Sequence, residues 1–150
     1  MNNPYNQTSP HIAKQIIDGM LKDESMIKPF RGVFLHGEDK TAKEEVVSLS
    51  TDDNTLVLRP HTLEDMKTDI NQAMTHNGRV LFVVDDVFKL AFEEENFLFS
   101  LMVARHHQGT RLSNNILFVG MTTEHIPQKG VMGWLVNQTL HMIIIPEPVA

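Results

Sequence analysis

Apolar residues recur along this chain in two alternating rhythms, one at helical spacing and one in short unbroken runs. In TSPHIAKQIIDGMLKD, Ile12, Ile16, Ile17, Met20 and Leu21 repeat every three to four positions behind Pro10, with Thr8 or Ser9 as cap. That predicts an amphipathic helix over about 9–23. RGVFLHG reads as a short buried strand. A helix from Lys43 to Ser48 follows, with Val46 and Val47 inward, and TDDN breaks it. TLVLRP is a second strand, closed by Pro60. HTLEDMKTDINQAMTHNG carries the strongest helical pattern, with Leu63, Met66, Ile70, Ala73 and Met74 on one face. Thr62 can cap it, Asp65 stands as the acidic member of a capping box, and Asn77-Gly78 supplies a left-handed stop.

RVLFVVDDV and ILFVGMTT are apolar on both faces, as central parallel strands are. Between them the pattern predicts a helix from about Glu94 to His107 and a polar loop, QGTRLSNN. A short helical piece around Val131 to Val136 precedes a last strand, HMIIIPEP. Strict alternation of helix and strand predicts an α/β three-layer sandwich, a five-stranded parallel sheet with helices on both faces. The 150 residues make one domain, with a core over about 29–148 and no repeat or linker.

Composition narrows the function classes. The chain is 41% hydrophobic and 21% charged, and no apolar run approaches the ~18–20 residues of a membrane span. The start, MNNPYNQTSPH, lacks the basic and apolar segments of a signal peptide. With no cysteine there are no disulfides or thiolate metal sites, and a cytoplasmic location is expected. A net charge of −6, with 13 scattered basic residues, argues against a broad nucleic-acid surface. Contact with nucleic acid is expected only indirectly or weakly.

Three strand ends carry candidate chemistry. A phosphate-binding loop reads G-x-x-x-x-G-K-[ST] between a buried strand and a helix. Here the same frame reads Gly37-Glu38-Asp39-Lys40-Thr41-Ala42-Lys43-Glu44. The first glycine and Lys43 are kept, but Ala42 replaces the second glycine and Glu44 the magnesium-binding hydroxyl. The plain alternative is a strand-to-helix turn with acidic residues favoured by the helix dipole. Asp85 and Asp86 close VLFVVDD at the carboxyl end of a central strand, where open α/β sheets bind ligands. Asp85 fits a magnesium ligand and Asp86 a water-orienting group; the alternative is a cap on the next helix. Thr122 or Thr123, at the tip of ILFVGMTT, can sense a terminal phosphate or simply cap a loop. His106-His107 lacks the spacing for two imidazoles to share a helix face, and the nine methionines read as core filler.

PFRGVFLHG, VLFVVDD, ILFVGMTT and LHMIIIPEP stand in an order and spacing that resembles the AAA+ superfamily of P-loop ATPases, from about Pro29 onward. DDVFKLAFEEENFLFSLM is similar to the region after Walker B in bacterial replication initiators and helicase loaders. The resemblance implies ATP or ADP with magnesium as cofactors, Gly37, Lys43 and Glu44 at the phosphates, and Asp85 on the metal. It also implies Asp86 on the attacking water, Thr122 or Thr123 as first sensor, and the Val33 strand between the Ile116 and Met142 strands, with the Thr55 strand at an edge. The departures are as telling. Asn137 and Gln138 stand where the family places its trans-acting arginine, and the sequence ends after the last strand, without the family's helical lid. Arg105 and Arg111 stand too early for that role. The expectation is therefore a lidless, degenerate module acting through a protein partner or homo-oligomer, in a DNA-replication-type or similar assembly. It would bind nucleotide weakly and hydrolyse little or none. The alternatives are an active magnesium-dependent ATPase completed by a partner's arginines and a nucleotide-free scaffold.

Overall fold

A computed structural model describes residues 7–22, 32–123, 130–137 and 139–147. The lead-in from Pro29 to Arg31, and Gln138, lie outside the described residues. The elements are β1 (Gln7–Thr8), α1 (Pro10–Lys22), β2 (Gly32–His36), α2 (Lys40–Leu49), β3 (Leu56–Leu58), α3 (Leu63–Thr75), β4 (Val80–Val84), α4 (Phe92–Ala104), β5 (His106–His107), β6 (Thr110–Arg111), β7 (Ile116–Met121), α5 (Gly130–Asn137) and β8 (Leu140–Ile144). A short 3-10 turn, Val87–Lys89, links β4 to α4.

Six strands form one parallel sheet in the order β1-β8-β2-β7-β4-β3. β2 lies between β7 and β8, and β3 is at the edge, as the resemblance implied. The sixth strand, β1, was not expected. It is two residues long, too short to show a period, and exists because Thr8 pairs beside Ile144 and its carbonyl accepts the Ile145 N–H at 3.0 Å.

The two sheet faces bury alternate side chains of the same strands. Val33, Leu35, Leu81, Val83, Leu117 and Val119 meet Ala13 and Ile17 of α1 and Ala42, Val46 and Val47 of α2. Phe34, Phe82, Val84 and Phe118 meet Met66 and Ile70 of α3, Leu98 and Met102 of α4, and Leu135 of α5. Every residue of β2, β4 and β7 is buried, the physical reason their sequences show no alternation. No helix among the described residues is long and apolar enough to cross a membrane.

Several boundaries differ from the sequence expectation. α2 starts three residues earlier than Lys43, because the Asp39 carboxylate caps it by accepting the Ala42 N–H at 2.8 Å. Thr62 does cap α3, accepting the Asp65 N–H at 3.0 Å. Asp65 reaches past the cap to the His61 N–H, at 3.2 Å. α3 leaves through an extended His76, with no left-handed residue at Asn77 or Gly78. Gly78 is needed for closeness, since a β-carbon there would overlap the Asn54 carbonyl oxygen. α4 stops at Ala104, short of His107, with Arg105 left-handed at φ 56°. The largely buried Arg105 guanidinium donates to the Ser113 carbonyl at 2.9 Å and lies 5.8 Å from the Phe118 ring. This anchor turns the chain into the β5–β6 hairpin, which occupies the expected polar loop.

Candidate functional site

The candidate residues converge where β2, β4 and β7 end. β2 leads into Gly37, whose φ is +122° and whose missing β-carbon would lie 2.8 Å from the Ile144 carbonyl oxygen. The glycine is thus demanded twice, by a conformation that side chains avoid and by the adjacent strand β8. After Glu38 the chain enters α2 at once. Asp39 receives the Ala42 N–H on its carboxylate and the Lys43 N–H on its carbonyl, at 3.3 Å. A phosphate cradle needs such N–H groups pointing into open space. In this loop the chain's own oxygens already take two of them.

Lys43 is the fourth residue of α2 and only 3% exposed. Its Nζ donates to the Thr122 carbonyl at the tip of β7, at 2.9 Å. Burial lowers its pKa below the ordinary 10.5, and the charges of Asp85 and Asp86 oppose that shift. β4 delivers both aspartates directly after Val84. Asp86 adopts a left-handed backbone, φ 48° and ψ 48°, and its carbonyl accepts the Lys89 N–H at 2.8 Å. No side-chain cap bond forms from Asp86 to the 3-10 turn that follows. Thr122 is buried and its N–H donates to the Leu35 carbonyl at 3.0 Å, whereas Thr123 is exposed.

Lys40, Lys43, Asp85, Asp86, Met121, Thr122 and Thr123 line one cleft of about 390 Å³, counting its open mouth. The enclosed part is only about 90 Å³, well below the roughly 300–1,000 Å³ of small-molecule sites. Gly37 and Glu44 are not on its wall. Glu44 points to the flank, where Arg59 grips it with two charge-assisted bonds, Nη2 to Oε1 at 2.5 Å and Nη1 to Oε2 at 3.1 Å. The same Nη1 lies 3.9 Å from a carboxylate oxygen of Asp85.

Arg59 and Asp39 escaped the sequence reading. Arg59 ends TLVLRP at the carboxyl end of a parallel strand, the position that singled out Asp85, so the same rule applied to β3 would have found it. Asp39 carried the ordinary signal of a cap residue, hidden because the phosphate-loop frame occupied its positions.

A nucleotide with its magnesium fits these residues only in part. On the phosphate side, the Ala42 N–H must release Asp39 before it can meet an anion, and the Lys43 ammonium is drawn to the Thr122 carbonyl through one of its three N–H donors. On the metal side the fit fails. The carboxylates of Glu44 and Asp85 already share the Arg59 guanidinium.

No family model matches this sequence, and no curated protein matches it. Among solved structures the chain is similar to PCH-2 of C. elegans, with a TM-score of 0.61 at 17% identity. The match covers 93% of this chain and 42% of PCH-2, so the chain spans less than half the length of that protein. At this identity the likeness is one of fold. The chain has an α/β fold of the P-loop NTPase kind, a parallel sheet flanked by helices.

Proposed function

We propose that this chain is a degenerate AAA+-like module that works through protein partners, binds ATP or ADP weakly and turns it over little or not at all. One observation carries the reading. Three groups the frame offers to a phosphate or metal are engaged inside the protein: Lys43 by Thr122, the Ala42 N–H by Asp39, and Glu44 by Arg59. Of these only the Lys43–Thr122 bond is buried, and a nucleotide that draws the ammonium away leaves the Thr122 carbonyl unpaired, at a cost of about 1–3 kcal/mol, or roughly one to two orders of magnitude of affinity.

Lys43 remains the group best placed to meet phosphate, at the mouth of a helix and beside two strand tips. Asp85 and Asp86 line the same cleft, and the left-handed backbone of Asp86 supports a role for its carboxylate in orienting a water. Thr122 and Thr123 present polar atoms at the third strand tip. Partner action is supported by large apolar side chains on the surface, among them Phe92 at 75% and Trp134 at 47% exposure. A replication-type assembly is supported only by the similarity of DDVFKLAFEEENFLFSLM to initiators and loaders.

Calorimetry with ATP and magnesium tests the reading. Binding should be weak, with Kd on the order of 1 mM, and Lys43→Ala should abolish it. Phosphate release should stay near background. No heat at millimolar nucleotide would favour the scaffold. Turnover on the order of 1 per second, lost in Asp85→Asn, would establish the active ATPase.

A further inference from the structure

Glu44 looks like simple damage to a loop until its partner is considered. A carboxylate in place of a hydroxyl puts one more negative charge beside Asp85 and Asp86. Left alone it would attract a divalent cation more strongly than a hydroxyl does, since hard cations favour carboxylate oxygens. The chain supplies a cation of its own. Arg59 meets Glu44 through both terminal nitrogens, at 2.5 and 3.1 Å, and one of these nitrogens also lies 3.9 Å from Asp85. The guanidinium therefore bridges two carboxylates from two elements, α2 and the end of β4, from a third, the end of β3.

We propose that Arg59 is a built-in counter-cation that excludes divalent metal from the Glu44–Asp85 position on the flank of the cleft. The proposal rests on the cleft being a nucleotide-type site, but it concerns the metal alone.

Three physical arguments carry it. First, geometry: a planar fork matches a carboxylate with two parallel bonds, and the pairing here is of that kind. Second, permanence: a guanidinium does not lose its proton in the accessible pH range, so the position stays filled from acid to alkaline conditions. Third, tethering: a group on a short covalent arm competes at an effective concentration of millimolar or more. Pro60 strengthens this, because the residue before a proline is confined to extended backbone, which fixes where the arm starts. A free divalent ion must displace that tethered charge and then settle for the same two carboxylates. All three side chains are about one-third exposed, so added salt weakens the bridge without removing it.

The test uses the full chain, manganese(II) as the probe and no nucleotide, with free ion followed by its paramagnetic resonance signal. Wild type should show no binding at this position below millimolar manganese. Arg59→Gln should bind at least tenfold more tightly, and adding Glu44→Gln to it should return the affinity to the wild-type level. The tightening should be the same at neutral and mildly alkaline pH. If Arg59→Gln fails to melt cooperatively, Arg59→Met, which keeps the apolar stem, takes its place. Equal manganese affinity in wild type and the Arg59 variant would overturn the proposal. So would a tightened site that survives Glu44→Gln, because the ion would then lie elsewhere. A failed nucleotide titration bears on the function proposed above and leaves this measurement intact.

Discussion

Lys43 is the residue on which fold and candidate chemistry pull against each other. An ammonium that is 3% exposed gives up hydration and recovers it through one carbonyl and two aspartates nearby. Burial wins, and its pKa lies below the ordinary 10.5. The folded state therefore releases this proton at lower pH than the unfolded chain does. In the interval just below 10.5 the unfolded chain binds more protons, so stability from this group rises with pH, by up to roughly 1.4 kcal/mol per pH unit for one proton. At neutral pH the charged lysine works against folding. Wild type should gain stability relative to Lys43→Met as pH rises toward 10.5, read as a changing gap between urea midpoints. Parallel midpoints would show that burial of Lys43 carries no such penalty.

Among the elements, α2 decides how open the cleft can be. Its early start coils Lys40 to Ala42 into the helix, and Asp39 satisfies the end that a phosphate would otherwise meet. Asp39→Ala should therefore move two quantities in opposite directions. Losing the cap should lower stability by about 1 kcal/mol, while freeing the Ala42 N–H should tighten ATP several-fold. Melting and calorimetry on one sample read both. Lower stability with unchanged or weaker ATP binding would mean that the α2 terminus plays no part in anion binding. Glycines at Lys40 and Ala42, which the loop frame alone would recommend, now sit inside a helix and would each cost about 0.5–1 kcal/mol. The early helix start was legible only in part. Asp39 has the residue type of a cap, but only the packing of Ala42, Val46 and Val47 under the sheet fixes where the helix begins.

For the whole molecule, the parallel sheet places a titrating group between its strands. His141 of β8 lies beside Phe34 of β2, with its ring edge-on to His36 at 5.8 Å. Burial holds His141 below its ordinary 6.5. With the folded pKa depressed, the unfolded chain binds more protons just below pH 6.5, so stability falls as pH drops through that value. Wild type should lose stability between about pH 7 and 5.5, and His141→Phe should flatten that slope. An unchanged slope would place the acid sensitivity elsewhere.

Sequence by itself determined the layers and the main strand ends. The doubly apolar runs at Val80 and Ile116 read as central parallel strands, because a strand buried on both faces is largely apolar on both, and the run at Val33 read as a short buried strand. That fixed the edge bearing Lys43, Asp85, Asp86, Thr122 and Thr123. The AAA+ resemblance added the order of the five main strands, since periodicity says which strands are central but not which lie side by side. Only the tertiary structure decided what those groups face. Whether Lys43 points to a ligand or to Thr122, whether the Ala42 N–H is open or capped, and whether Glu44 meets a metal or Arg59 depend on residues up to 79 positions apart. Local periodicity carries no information about such pairings. The edge strand β1 has the same cause, for two residues set no rhythm, and only β8 alongside makes them a strand.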